Sequence, residues 1–173
     1  MTRYFFLFPL LVLSLVFSCK EEEEPQLNMQ KTVYKGSLKT NGYYYHDFDN
    51  GEARKLIYLL YRDGVMLYGG APTNSALAER EIEFSNGKYA VAAAPEKTFW
   101  GLFKAEGTTI TFNQWHIRDG GVLAQYTTTG TILSDSTFIM SSTNRNGVSG
   151  EGIDELYRFK ANSKPDSTNQ FIN

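Results

Sequence analysis

The sequence is poor in cysteine, in histidine and in long apolar runs. Cys19 is its single cysteine, so no disulfide can form within the chain and packing must hold the fold together. After the N-terminal segment no stretch approaches 18 consecutive apolar residues, which is the length that indicates a transmembrane helix. The net charge is −2, and removal of residues 1–18 would take away only Arg3 and leave −3. A chain with no basic excess is not expected to bind nucleic acid.

The first 18 residues have the organisation of a signal peptide. Arg3 supplies a positive start, and the apolar run from Tyr4 to Phe17 is shorter than the roughly 20 residues that span a bilayer. Cleavage at an ordinary small-residue site is one interpretation, but it leaves an unpaired thiol in an oxidising compartment. Val16-Phe17-Ser18-Cys19 resembles the lipobox of bacterial lipoproteins. That resemblance implies export, cleavage before Cys19 and acylation of Cys19, with membrane lipid as a partner.

A short charge run follows the cysteine. Lys20-Glu21-Glu22-Glu23-Glu24 is typical of a solvated spacer. It also resembles the surface-export signal of lipoproteins of the Bacteroidota, which implies display on the outer face of the outer membrane. The alternative is a hydrophilic tether that faces the periplasm. In both cases we expect residues 19–31 to form a flexible tether.

The next 130 or so residues, 32–161, are predicted to form one domain made of strands. Apolar residues recur there with a period of two and are separated by Gly-containing turns. Eight strands are expected, at Val33–Tyr45 (broken near Asn41-Gly42), Lys55–Tyr61, Val65–Tyr68, Thr98–Ala105, Thr108–Arg118, Val122–Leu133, Thr137–Thr143 and Glu155–Lys160. One helical turn is expected at Asn74–Glu81, followed by an irregular stretch that is weakly extended at Lys88–Ala92.

Short hairpin connections favour an all-β fold, a single antiparallel up-and-down barrel, because closure removes exposed sheet edges. A two-sheet β-sandwich is the alternative. Within one strand Phe112 and Trp115 fall on opposite faces, so we expect a β-bulge at Asn113-Gln114 that brings them to the same side. The polar residues 162–173 are predicted to form a disordered tail.

Several hairpin patterns are similar to those of lipocalin-like (calycin) bacterial lipoproteins. They are Tyr61-Arg62-Asp63-Gly64-Val65, the stretch from Phe99 to Ile110, and Leu156-Tyr157-Arg158-Phe159-Lys160. Gly36-Ser37-Leu38 stands where lipocalins carry Gly-x-Trp. The resemblance implies a barrel that can enclose a cavity, without naming its ligand. It also implies that Arg158 packs over Trp100 across one end of the barrel.

Two functions compete on these grounds. In the first, a cavity binds a small apolar or amphipathic ligand through inward aromatic rings, for which the candidates are Phe103, Phe112, Tyr126 and Phe138. In the second, the barrel is solid and a surface protein partner binds outside it, on exposed rings of Tyr43 and Tyr45. An equally open alternative for these tyrosines is that Tyr44 packs inside while its two neighbours cover the exterior.

A hydrolytic enzyme is a third and weaker hypothesis. His46, Asp47, Asp49 and Glu52 lie close together, but their spacing departs from a calcium-binding EF-hand loop, so we favour a polar turn and expect no metal site. His116 and Asp119 lack an accompanying nucleophile elbow. No cofactor is expected.

Asp135-Ser136-Thr137 and Asp166-Ser167-Thr168 resemble the O-glycosylation motif of exported Bacteroidota proteins. Ser167 is the better candidate for modification, because it falls in the tail that we expect to be exposed.

Overall fold

The structure, a computed structural model, describes residues 25–145 and 148–173. The predicted signal peptide, Cys19 and the run Lys20 to Glu24 lie outside the described residues. The predicted fold class is confirmed: eight antiparallel strands form a closed barrel in chain order, and the last strand pairs with the first. The strands are β1 (Gly42–Asp49), β2 (Ala53–Leu60), β3 (Val65–Gly70), β4 (Trp100–Glu106), β5 (Thr109–Ile117), β6 (Leu123–Ser134), β7 (Thr137–Arg145) and β8 (Val148–Ala161).

Because neighbouring strands are antiparallel, the connections alternate between the two ends of the barrel. The turns at 61–64, 107–108 and 135–136 lie at one end, which we call the closed end. The connections at 50–52, 71–99 and 118–122 lie at the other, which we call the open end. The long connection 71–99 contains α1 (Leu77–Ser85), α2 (Lys88–Ala93) and a 3₁₀ turn at Lys97–Phe99.

The closed end is covered by residues 32–41, which pack without forming a strand, whereas the sequence predicted one from Val33. Tyr34 and Leu38 are buried there, and the Leu38 N–H donates to Tyr34 Oη at 2.7 Å. The Tyr34 ring centroid lies 5.1 Å from that of Phe103 inside the barrel. These contacts fill the interior near the closed end. The buried side chains of the barrel interior as a whole are Tyr34, Leu38, Tyr44, Tyr58, Leu60, Met66, Phe103, Ile110, Phe112, Phe138, Met140 and Tyr157.

A second core lies outside the barrel wall. α1, α2 and both terminal segments cover the outer face of strands β1 to β5. Its buried side chains are Tyr43, Ile57, Leu59, Tyr61, Val65, Leu67, Phe84, Tyr89, Ala93, Trp100, Leu102, Trp115 and Ile172. Strands in this part of the wall are therefore apolar on both faces.

The expected β-bulge at Asn113-Gln114 was wrong. Both residues pair in unbroken register with β4 and with β6. Phe112 faces the interior core and Trp115 faces the outer core, so the change of face needs no irregularity.

The expected irregular stretch after Glu81 is also corrected. Lys88–Ala93 is helical, because Tyr89 and Ala93 bury themselves against the outer wall of the barrel. The expected packing of Arg158 over Trp100 does not occur. Trp100 lies on the outer face and donates to the Ala93 carbonyl at 3.0 Å, whereas Arg158 lies 3.7 Å from Asp47.

The two terminal segments are packed, in contrast to the flexible tether and the disordered tail that we expected. In residues 25–31, the Pro25 carbonyl accepts a hydrogen bond from Trp115 Nε1 at 2.6 Å. In residues 162–173, Lys164 Nζ donates to the Leu60 carbonyl at 2.6 Å, and Ile172 is buried. Each segment packs against apolar side chains on the outer wall of the barrel. Among the described residues, no helix has the length and apolar character needed to cross a membrane.

Candidate ligand-binding cavity

A cavity of about 460 Å³ occupies the half of the barrel next to the open end. Strands β2, β3 and β5 to β8 supply inward side chains to it, and the 3₁₀ turn adds Thr98. The lining residues are Leu56, Tyr58, Tyr68, Thr98, Phe112, Gln114, His116, Tyr126, Thr128, Met140, Thr143, Ile153, Glu155 and Tyr157. Most of these alternate along their strands, as the pleat of a strand requires for residues on one face.

Aromatic rings form the floor of this cavity. The Tyr58 ring centroid lies 5.2 Å from that of Phe112 and 5.7 Å from that of Tyr157. Tyr157 stacks on Phe138 at 5.0 Å. Because these rings contact one another, the cavity ends at this level and does not extend to the closed end.

A small set of polar groups projects into this apolar space. Tyr157 Oη donates to Glu155 Oε2 at 2.8 Å, and Gln114 Nε2 donates to Tyr58 Oη at 3.4 Å. Burial raises the pKa of both tyrosine hydroxyls, so they remain protonated donors at neutral pH. The cavity thus combines apolar walls with a few fixed polar groups, as is typical of small-molecule sites.

His116 stands at the mouth of the cavity. It is exposed on one side, while its Nε2 contacts Gln114 Nε2 and its ring lies 4.9 Å from that of Tyr126. Displacement of water by this surrounding protein lowers the pKa of His116, so the ring is neutral at pH 7.

His46, the other histidine, lies where the β1–β8 ladder stops after Tyr45. Its Nδ1 is 3.2 Å from the Leu156 carbonyl oxygen, and its ring lies 5.6 Å from that of Tyr157. The ring therefore bridges β1 and β8 beyond the last paired residues.

Two of the four predicted ligand-binding residues line the cavity and two do not. Phe112 and Tyr126 face it. Phe103 and Phe138 also point inward, but they lie in the filled half of the barrel. The prediction missed Tyr58 and Glu155, although both share the inward parity of their strands. That parity was the available signal, because both residues lay within predicted strands.

The predicted interaction surface is not present as an exposed pair. Tyr43 is fully buried beneath α1, where its ring lies 6.0 Å from that of Phe84 and its Oη donates to Glu81 Oε1 at 2.5 Å. Tyr45 is half-buried, with Lys55 Nζ 4.3 Å from the centre of its ring. Tyr44 packs inside the barrel against Phe138. The correction follows from α1, whose position over β1 the sequence did not indicate.

The candidate modification site is held against the barrel. Ser167 Oγ donates to Asp63 Oδ2 at 2.8 Å, so this side chain is engaged rather than free in a tail.

The acidic segment after β1 forms a turn. Asp49 Oδ1 accepts a hydrogen bond from the Gly51 N–H at 2.8 Å, and Glu52 pairs with Arg54 at 2.8 Å. Within the described part of the chain, no group of three or more His, Cys, Asp and Glu side chains is placed to hold a metal ion.

Comparisons with protein-family models, with curated proteins and with solved structures give no match for this chain. The cavity is consequently the feature from which a function is argued.

Proposed function

We propose that this protein is a lipocalin-like lipoprotein that binds a small apolar or amphipathic ligand inside its barrel. It is anchored to the outer membrane through lipidated Cys19 and is displayed on the cell surface. The observation that carries the binding function is the cavity of about 460 Å³ at the open end.

The size and lining of the cavity support this function. Pockets that bind small molecules measure roughly 300–1,000 Å³ and are mostly apolar with a few placed polar groups. Here the apolar groups include Leu56, Met140 and Ile153, and the polar groups include Gln114 and Glu155. A solid barrel that acts only through its exterior has less support, because Tyr43 is buried and the interior is not filled.

The membrane anchor is supported by the sequence. A short apolar N-terminal run ends at a lipobox-like tetrapeptide and the single cysteine, and an acidic run follows. More than one acyl chain makes membrane attachment stable, since each buried methylene contributes about 0.8 kcal/mol.

Blocking the cavity tests the binding function. Thr128 lies inside on β6, and Thr131 lies exposed on the outer face of the same strand. We expect Thr128→Phe to weaken the binding of the neutral fluorescent probe N-phenyl-1-naphthylamine by about tenfold, because the new ring occupies ligand space. Thr131→Phe adds the same ring outside and should bind the probe as the unaltered protein does.

Fluorescence titration of the two variants beside the unaltered protein gives the answer. Absence of saturable binding to the unaltered protein would refute the proposal, as would equal affinities for all three proteins. Circular dichroism of the two variants separates lost binding from lost fold.

A further inference from the structure

We propose that the cavity prefers cationic amphiphiles, with an amine or quaternary ammonium group beside Glu155 and against the aromatic rings. This inference rests on the proposed function and deepens it by naming a ligand class. The tail of such a ligand would lie along the apolar part of the wall.

The ionisable side chains that line the cavity favour a negative charge over a positive one. Among the described residues that line it, Glu155 is the only acidic side chain, and none is lysine or arginine. His116 is neutral there, because its pKa is lowered. Arg158, a cation on the same strand, points outside and lies 3.7 Å from Asp47. A cation that enters the cavity therefore meets a carboxylate and no competing positive side chain.

The Glu155 carboxylate has capacity for such a partner. Its Oε2 accepts the hydroxyl of Tyr157 at 2.8 Å. An ionised carboxylate offers about four acceptor sites, so this one hydrogen bond leaves others for an ammonium group. A protonated amine would donate a charge-assisted hydrogen bond there, which is shorter and stronger than one from a neutral donor. A quaternary ammonium group has no N–H, so the carboxylate would attract it through its charge alone.

Aromatic rings surround the same space. Five of them line the cavity, namely those of Tyr58, Tyr68, Phe112, Tyr126 and Tyr157. The face of an aromatic ring carries negative potential and attracts a cation within about 6 Å, and cages of such rings bind quaternary ammonium groups. Because the buried tyrosines keep their protons, they add hydroxyl dipoles rather than charge.

Anionic and neutral amphiphiles fit the cavity less well than cationic ones. An anionic head group would bring a second negative charge next to Glu155 in a partly desolvated space, where like charges repel strongly. A neutral alcohol would accept or donate a hydrogen bond but would leave the carboxylate uncompensated. The expected order of affinity is therefore cation, then alcohol, then carboxylate.

A matched set of probes tests this order. Decyltrimethylammonium, decanol and decanoate share a ten-carbon chain and differ in the charge of the head group. Each is titrated against bound N-phenyl-1-naphthylamine, below its own micelle concentration. We expect the cation to displace the dye at about one tenth of the concentration that the alcohol requires, and decanoate to be the weakest.

Two carboxylate variants locate the effect. Glu155→Gln keeps an acceptor for Tyr157 but removes the charge, so cation affinity should fall about tenfold while decanol affinity stays within about twofold. Asp154→Asn makes the same charge change one residue away, on the exposed face of β8, and should leave the preference intact. Circular dichroism checks that Glu155→Gln is folded, as it does for the two threonine variants.

The outcomes separate the two proposals. If all three probes displace the dye equally, or if Glu155→Gln retains the cation preference, the cationic ligand class is wrong while the binding cavity stands. If neither the dye nor any probe binds, the proposed function fails and this inference fails with it.

Discussion

The side chain of Lys164 is largely buried, which disfavours its charged form. Its Nζ donates to the Leu60 carbonyl at 2.6 Å and lies 3.8 Å from the centre of the Tyr61 ring. Burial lowers the pKa of Lys164 from 10.5 to about 8, against the opposing charge of Asp63. Between these two pKa values the unfolded chain binds more protons than the folded one, so stability rises with pH across that window.

We expect the free energy of unfolding to increase by about 1 kcal/mol between pH 7.5 and 9 because of this lysine. Above pH 9 the raised pKa values of buried tyrosines act in the opposite direction, since their hydroxyls ionise more easily in the unfolded chain. Urea denaturation at several pH values measures the slope. Lys164→Met should abolish it, whereas Lys88→Met, at an exposed lysine, should keep it. A flat profile for the unaltered protein would contradict the expectation.

At the scale of elements, period-two patterns and tight turns were enough to predict the strands and their closure into a barrel. They did not predict the outer core. A strand buried on both faces reads as a continuous apolar run, as Leu56 to Leu60 does, but such a run does not tell which segments cover its outer face. Trp115 illustrates this: its change of face suggested a bulge, but the terminal segments bury it from outside. Lys88–Ala92 was likewise ambiguous, since a short apolar run fits a helix or a strand until its packing surface is known.

The same limits apply to the cavity. Inward parity on β5 and β6 identified Phe112 and Tyr126, but parity does not tell how deep a ring lies along the barrel axis. Phe103 and Phe138 were therefore grouped with them, although residues 32–41 close their end of the barrel. The apolar residues of 32–41 suggested a strand from Val33, and nothing in the pattern indicated that this segment covers the end of the barrel.

The C-terminal segment, residues 162–173, packs on the outer wall of the barrel and contributes to its stability. Ile172 is 8% exposed and belongs to the outer core, whereas Val91 on α2 is 77% exposed. We expect Ile172→Ala to lower the free energy of unfolding by about 2 kcal/mol, through lost burial and the cavity left behind. Val91→Ala truncates a side chain of similar size that is exposed to solvent. It should change the free energy of unfolding by less than about 0.5 kcal/mol. Equal effects in urea denaturation would show that the segment does not stabilise the barrel.

For the whole molecule, the path of the N-terminal segment relates the anchor to the cavity. The Pro25 carbonyl accepts a hydrogen bond from Trp115 Nε1, close to the end of β5 at the open end. The Met29 N–H then donates to Asn113 Oδ1, and the Tyr34 N–H donates to the Arg62 carbonyl at the closed end. The segment thus runs along the outer wall from the open end to the closed end.

A lipidated Cys19 would therefore hold the open end of the barrel towards the bilayer. Five residues lie between Cys19 and Pro25, and the six residue steps from one to the other span at most about 20 Å. Ile117 and Val122, which flank the β5–β6 connection at the open end, are 64% and 37% exposed. In this orientation they would meet the membrane surface, and an amphiphile could pass from the bilayer into the cavity.

Site-specific labelling of the lipidated protein tests this orientation. Since the proposed acylation would consume the thiol of Cys19, Ile117→Cys and Glu106→Cys would each introduce the only free thiol, one at the open end and one at the closed end. We expect a fluorophore at position 117 to be quenched strongly by nitroxide-labelled lipid head groups in reconstituted vesicles, and one at position 106 to be quenched weakly. Cys19→Ala, added to either variant, should leave the protein in the aqueous phase and remove the quenching. Stronger quenching at position 106 would mean that the mouth of the cavity faces away from the membrane, and that its ligand arrives from the aqueous side.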